Sequence, residues 1–208
     1  MLAGLLACWR GLRHLERRGY IYIWGNLWWF VLSLPIVTAP AAWAGLMHLG
    51  YVAHYSPGVN LEAFWDGFRA NLRRGFVLAL LNAIVIGVNL VNLWGVQGQS
   101  GLAYDTLRAI WLLVLALWFT IQLYLWPLFY AMANPTLTGA LRNAAVMILL
   151  NPLFTLGLWL GIALILMFSM VFFIAWVLLT GGALAAVANS AVLDRLSAAG
   201  YKPVQAEP

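Results

Sequence analysis

The chain has 208 residues, 64% of them hydrophobic and only 8% charged, with a mean hydropathy of +0.90. A soluble domain carries about 25% charged residues, so this composition cannot clothe a globular surface in polar groups and excludes a soluble fold. The net charge of +5 is gathered in short arginine clusters, which in a membrane protein report topology rather than nucleic acid, and the lone Cys8 excludes an internal disulfide or a Cys-rich metal or redox motif.

Residues 1–19 come first. The apolar stretch from Leu2 to Trp9 is short and its arginines follow it, unlike a secretory signal. Leu5, Trp9, Leu12 and Leu15 share one helical face, while Arg10, Arg13 and Arg17 share another. That is the pattern of a basic amphipathic helix lying on anionic headgroups, and equally of a positive flank that orients the first span. Cys8 is expected to be a small apolar residue on this helix.

A first span is predicted over residues 20–37, with Trp24, Trp28 and Trp29 near its start. It ends in SLPIVTAP, Ser33 to Pro40. Pro35 removes a backbone donor, and Pro40 biases Ala39 away from helix. Carbonyls near Val31 and Ile36 would lose their partners, and lipid cannot replace them. Two readings follow. Either Pro35, Thr38 and Pro40 sit in a bundle interior or water-accessible pocket, or the segment is a tight hairpin turn at the outer surface.

A short helix at 41–55 is next, then a turn and an in-plane amphipathic helix at 61–74 with Asn60 as its N-cap. Leu61, Phe64, Trp65, Phe68 and Leu72 form its apolar face, and Glu62, Asp66, Arg69 and Arg73 its polar one. Long spans are predicted at 75–94, 107–132 and 152–179. Trp94 and Trp111 flank the Gly-rich loop between the first two, and residues 137–150 form a further helix. A break at Thr180, Gly181 and Gly182 precedes a short Ala-rich helix, 183–196. This break echoes the first: Thr38 aligned on Thr180 also matches Ala41 with Ala183 and Ala44 with Ala186. Such echoes occur in transporters built from duplicated units with broken helices.

None of the acids Glu16, Glu62, Asp66, Asp105, Asp194 and Glu207 falls inside a predicted span. Ion-coupled carriers need an ionisable group at membrane depth, so secondary active transport by this chain alone is not expected. His14, His48 and His54 do not have the spacing of a metal pair, and His48 and His54 are expected at the boundary or bonded to backbone. No metal or other cofactor and no enzymatic activity are expected. Asn82 and Asn89 share a face, with Asn92 adjacent. They read as interhelical hydrogen-bonding groups, or as a neutral path suited to sugars or polyols.

The stretches NLWWFVLSLPIVTAPAAWAGL (Asn26 to Leu46) and FWDGFRANLRRGF (Phe64 to Phe76) resemble the YesL-like family of bacterial integral membrane proteins. The matching positions are Asn26, Leu34, Pro35, Ile36, Val37, Thr38, Pro40, Phe68 and Asn71, and LYLWPLF (123–129) and LRNAAVMIL (141–149) resemble later segments of that family. The resemblance implies no catalytic residues. It does imply an accessory role beside carbohydrate uptake and utilisation systems.

The expected fold is all-α: a polytopic transmembrane bundle with four to six crossings in hairpins, two short broken or re-entrant helices (41–55 and 183–196) and interfacial amphipathic helices. Residues 20–196 form one transmembrane domain, and 197–208 a flexible tail. Arginine placement puts both termini on the cytoplasmic side of the cell inner (plasma) membrane. The expected partners are the lipid bilayer and either a membrane permease subunit or a second copy of the chain. The small-residue helices 41–50 and 181–191 suit such close packing. The rival expectation is a carrier or channel for a small neutral solute, and a third is headgroup binding through the basic helices.

Overall fold

A computed structural model describes residues 1–202, apart from the side chain of Phe173, and these residues are helical almost throughout. The helices are α1 (Leu2–Arg17), α2 (Gly19–Ser33), α3 (Ala39–Tyr55), α4 (Glu62–Ala70), α5 (Leu72–Gly95), α6 (Leu102–Ala131), α7 (Leu137–Leu150), α8 (Pro152–Val171), α9 (Phe173–Ala175) and α10 (Gly181–Ala198), with a π-helical turn at Trp176–Thr180 leading into α10. The expected all-α bundle is the observed one. Residues 203–208, half of the expected tail, lie outside the described residues, and the tail's first two residues are still part of α10.

Among the described residues, four stretches are long and apolar enough to cross a membrane: Leu72–Gly95, Leu102–Ala131, Pro152–Val171 and Trp176–Ala198. The expected first span is a shorter helix, α2, which stops at Ser33 after 15 residues. At 1.5 Å per residue it covers about 22 Å. Its partner α3 has 17 residues and is the most enclosed helix, with Ala41, Ala44, Leu46, Met47, Leu49 and Tyr51 all buried.

The long helices pair as antiparallel hairpins. Asn82 on α5 meets Trp118 and Gln122 on α6, and the Arg195 guanidinium near the end of α10 lies 4.3 Å over the Phe154 ring at the start of α8. Arg74 at the start of α5 lies 5.2 Å over Phe129 near the end of α6. Arg18 donates to the Pro57 carbonyl just past α3, and Arg10 pairs with Asp194 on α10. These contacts gather the cations of α1, α5 and α10 at one end of the bundle. Arg108 sits at the other end, tied down by Asp105 and by the Val96 and Gln99 carbonyls. The arginine asymmetry read from the sequence is thus a spatial asymmetry of the fold.

Three expectations are corrected. First, α1 does not simply rest beside the bundle. Its small face of Gly4, Ala7, Cys8 and Gly11 is buried between α8 and α10, parallel to the former and antiparallel to the latter. Gly11 is required there, because a Cβ would fall 2.6 Å from the Val187 Cα. Second, Thr180, Gly181 and Gly182 do not break a helix: Gly181 is helical, with φ −62° and ψ −42°, and α10 runs on from the π-helical turn. The interruption lies earlier, at Phe172, with φ −114° and ψ 91°. Gly181 serves packing instead, since a Cβ would lie 2.6 Å from the Trp29 ring.

Third, the helix expected over 61–74 is two helices meeting at Asn71, a buried residue. Its Nδ2 donates to the Gly67 carbonyl (2.9 Å) and to the Tyr130 hydroxyl (3.1 Å), which donates to the Ala44 carbonyl at 2.9 Å. That chain of bonds halts α4 and starts α5, so Leu72 faces outward, away from Phe64 and Phe68. The N-cap of α4 is Leu61, not Asn60, which sits one residue earlier with its Oδ1 accepting the Glu62 N–H at 3.0 Å.

Candidate functional site

The largest concentration of chemistry lies where α1, α3 and α10 meet. The end of α3 carries His54. Its Nδ1 lies 2.7 Å from the Gly50 carbonyl, one turn back on the same helix. A carbonyl can only accept, so Nδ1 bears the proton, and in the neutral ring Nε2 accepts from the Ser190 hydroxyl of α10 at 3.1 Å. His14 of α1 stacks on His54, with ring centroids 3.9 Å apart and planes inclined by 15°. Its Nε2 is buried without a hydrogen-bond partner.

Burial, followed by the nearby His54, Arg18 and Arg17, lowers the His14 pKa from 6.5 to about 4. His14 is therefore neutral at pH 7, and two neutral rings can stack face to face.

Helix periodicity places Arg10, Arg13 and Arg17 along the flank of α1 that borders this pair. With Ser190, Asp194 and Ser197 of α10 they line a crevice of about 540 Å³. Asp194 is already paired with Arg10 and Arg195. Arg13 lies 5.3 Å over the Trp9 ring, and neither it nor Arg17 has a carboxylate partner among the described residues. Behind the histidines the network continues inward. Asn189 Nδ2 donates to the Met47 (3.1 Å) and Ala185 (2.9 Å) carbonyls. The Asn189 Oδ1 and, near Gly50, the Tyr22 hydroxyl are both buried without a partner.

The structure brings together the three α1 arginines singled out in the sequence. Sequence reasoning missed the residues that complete the crevice: His14, His54 and Ser190. The only available signal was the bias of His54 toward a backbone partner, and His48 shows the same behaviour, with Nδ1 2.7 Å from the Ala63 carbonyl. Arg69 and Arg73 lie elsewhere: Arg69 is 5.6 Å over the Trp65 ring on α4, and Arg73 is exposed at the start of α5.

The other singled-out positions separate. Pro35 lies in a tight turn whose Leu34, Ile36 and Val37 are 67%, 79% and 51% accessible, so the bundle does not enclose this segment in its interior. The turn closes its own hydrogen bonds. Leu34 N–H reaches the Val31 carbonyl (3.3 Å), Ala39 N–H the Ile36 carbonyl (3.1 Å), and the Thr38 hydroxyl donates to the Leu32 carbonyl. Pro40 does line a groove of about 280 Å³, together with Ser33, Asn82 and Gln122. Asn89 and Asn92 lie outside that groove, and each donates to a carbonyl one turn back on its own helix, 2.7 Å from Val85 and 2.9 Å from Val88. Asn82 is the interhelical member: its Oδ1 accepts from Trp118 Nε1 (2.9 Å) and Gln122 Nε2 (3.0 Å).

Thr180 donates to Ser169 at 2.6 Å, on a separate apolar groove of about 490 Å³ bordered by Leu12 and Phe168. The two stretches that echo each other in sequence therefore have different structures and different surroundings. Among the described residues no cluster of three His, Cys, Asp or Glu side chains could hold a metal ion.

Fold and composition together define a polytopic α-helical membrane protein with a basic, histidine-bearing crevice at its arginine-rich end. No protein-family model, curated protein or solved structure matches the chain.

Proposed function

We propose that the protein is a non-enzymatic accessory subunit of a carbohydrate uptake or utilisation system in the inner (plasma) membrane, acting through helix–helix contact. The observation that carries this reading is the exposure of α5. Of its 24 residues only Gly75, Leu78 and Asn89 are buried. Leu80, Ile84, Val88 and Val91 form one continuous exposed stripe, and a Cβ on the neighbouring Gly87 would meet nothing within 4 Å. A small residue beside an aliphatic stripe is what close packing of membrane helices requires. The carbohydrate context rests on the motif resemblance alone. The cytoplasmic placement of both termini is supported by the arginines gathered at one end of the bundle.

The test is a photo-crosslinking residue at Ile84 in intact membranes, with Leu153 on α8 as the comparison position. The reading expects an adduct at Ile84 whose second component is a permease subunit or another copy of this chain. Lipid adducts alone at both positions would reject it.

The second reading, a carrier or channel for a sugar or polyol, is supported by the groove that joins Pro40 to Asn82. Flux of a sugar or polyol into reconstituted vesicles, abolished on filling that groove, is the outcome it requires.

A further inference from the structure

The crevice between α1 and α10 is not used by the helix-contact reading above and does not depend on it. Its lining carries three guanidinium groups, on Arg10, Arg13 and Arg17, against one carboxylate, on Asp194. That carboxylate is already held by Arg10 and Arg195. Arg13 and Arg17 lie one helical turn apart on one flank and have no anionic partner among the described residues. Two planar forks at that spacing match the oxygens of a tetrahedral dianion better than a single carboxylate.

The opposite wall supplies neutral groups suited to the same ligand. The Ser190 and Ser197 hydroxyls both line the crevice. His54 is held in place by the Gly50 carbonyl and backed by the stacked His14 ring. At about 540 Å³ the space exceeds what a bare tetrahedral anion occupies, which leaves room for whatever the anion is esterified to. Trp9, beneath Arg13, lines the neighbouring apolar groove and is exposed, so it can meet either an apolar tail or solvent.

We propose that this crevice is a binding site for a phosphate group, carried either by a lipid headgroup or by a soluble phosphate ester. Arg13 and Arg17 clamp the phosphate oxygens, Arg10 closes one end while remaining bridged to Asp194, and Ser197 donates from α10. The stacked histidines form a neutral floor that adds no competing anion.

The experiment uses the full-length protein in neutral detergent and in nanodiscs. In detergent, calorimetric titration with inorganic phosphate and glucose 6-phosphate, and with glucose as the uncharged comparison, tests the soluble source. In nanodiscs of phosphatidylcholine with a minor fraction of phosphatidic acid, lipid retained through purification tests the headgroup source. Each measurement is repeated with the pair R13Q/R17Q, with the pair R69Q/R73Q from the other basic cluster, and with Ser197→Ala.

Saturable phosphate or glucose 6-phosphate binding, weakened at least about tenfold in R13Q/R17Q and unchanged in R69Q/R73Q, supports the site with a soluble ligand. Selective retention of phosphatidic acid, lost in R13Q/R17Q alone, supports it with a lipid ligand. Both arginines of the first pair are exposed, so the fold should survive. Ser197→Ala removes no charge, and its expected loss of about threefold provides an independent reading of the same site. Equal weakening by the two arginine pairs would mean diffuse surface charge and would overturn the proposal, as would the absence of binding to both soluble anions and phosphatidic acid.

Discussion

Asn26 on α2 bridges the π-helical turn: its Oδ1 accepts the Gly182 N–H at 2.9 Å while its Nδ2 donates to the Val177 carbonyl. These two backbone groups are five residues apart, and a continuing π-helix would bond them to each other. The side-chain amide is inserted between them instead, a recognised cause of local distortion in a helix. Asn26 is fully buried, so neither water nor lipid can stand in for it. Replacing Asn26 with Leu strands one donor and one acceptor. An average interhelical hydrogen bond in a membrane contributes only about 0.6 kcal/mol, but here two backbone groups are orphaned together, and a loss of about 2 kcal/mol is expected. Thermal unfolding in detergent measures it. An unchanged midpoint would mean that the π-turn recloses its own ladder without Asn26.

The seating of α1 can be followed through Cys8, the only cysteine in the chain. Its side chain faces Gly161 of α8 and is 4% exposed. Gly11, one turn on, meets the backbone of Val187, which cannot move aside as a flexible side chain would. Gly11→Leu should therefore lift α1 from α10, and maleimide should label Cys8 at least about tenfold faster than in the wild type, as expected for a thiol released from close packing. Equal labelling rates would place α1 loosely on the bundle in both proteins.

Ile36 has a φ of 58°, in the left-handed region that β-branched residues avoid. The turn is exposed and its hydrogen bonds are made by backbone groups and Thr38, so the Ile36 side chain contributes little to hold it. Ile36→Gly should then raise the unfolding midpoint, relieving about 1 kcal/mol of strain net of the added chain entropy. A lowered midpoint would show that the exposed isoleucine is held by packing.

What could be read from the sequence is what periodicity and composition carry. The long helices α5, α6 and α8, the Glu62/Asp66/Arg69 face of α4 and the arginine asymmetry all follow from charges being kept out of lipid. The crevice could not be read in the same way, because Ser190 and His54 are separated by 136 residues and their contact depends on how α3 crosses α10. Glycine also carries two meanings. At Gly181 and Gly182 it permits side chains of α2 to pack closely, which in the sequence looks the same as a break. Proline was ambiguous in the opposite sense. The turn after Ser33 needed no neighbouring helix once Thr38 capped Leu32 and Ile36 took up the left-handed backbone.

His14 makes stability depend on pH. Its folded pKa is lowered to about 4, by burial first and then by the nearby His54, Arg18 and Arg17. The unfolded chain keeps a value near 6.5 and so binds the proton more readily than the folded protein does. The stabilisation is present above about pH 6.5 and is lost as the pH falls toward 4. His14 is only partly buried, so solvent screening reduces the contribution to about 1–2 kcal/mol. Melting midpoints compared at pH 7.5 and pH 4.5 should fall by several degrees more in the wild type than in His14→Gln, which has no titrating ring. Parallel falls in the two proteins would assign the acid sensitivity to other groups.

Asn82 and Asn89 share a face of α5, but the structure gives them opposite energetic roles. Asn82 accepts from both Trp118 and Gln122, so Asn82→Leu leaves two donors of α6 without their shared acceptor and should destabilise the hairpin by about 1–2 kcal/mol. Asn89 is the more enclosed of the two, yet its Oδ1 has no partner and its Nδ2 only returns to the Val85 carbonyl of the same helix. Removing an unsatisfied buried acceptor costs nothing across the helix pair, so Asn89→Leu should be neutral or stabilising. A water or solute held at Asn89 would reverse that sign, because the amide would then be satisfied in the working protein. Unfolding midpoints of the two variants, measured side by side in detergent and in nanodiscs, distinguish an asparagine that joins helices from one that faces a polar path. A destabilised Asn89→Leu accompanied by lost sugar or polyol flux would transfer the function from helix contact to transport.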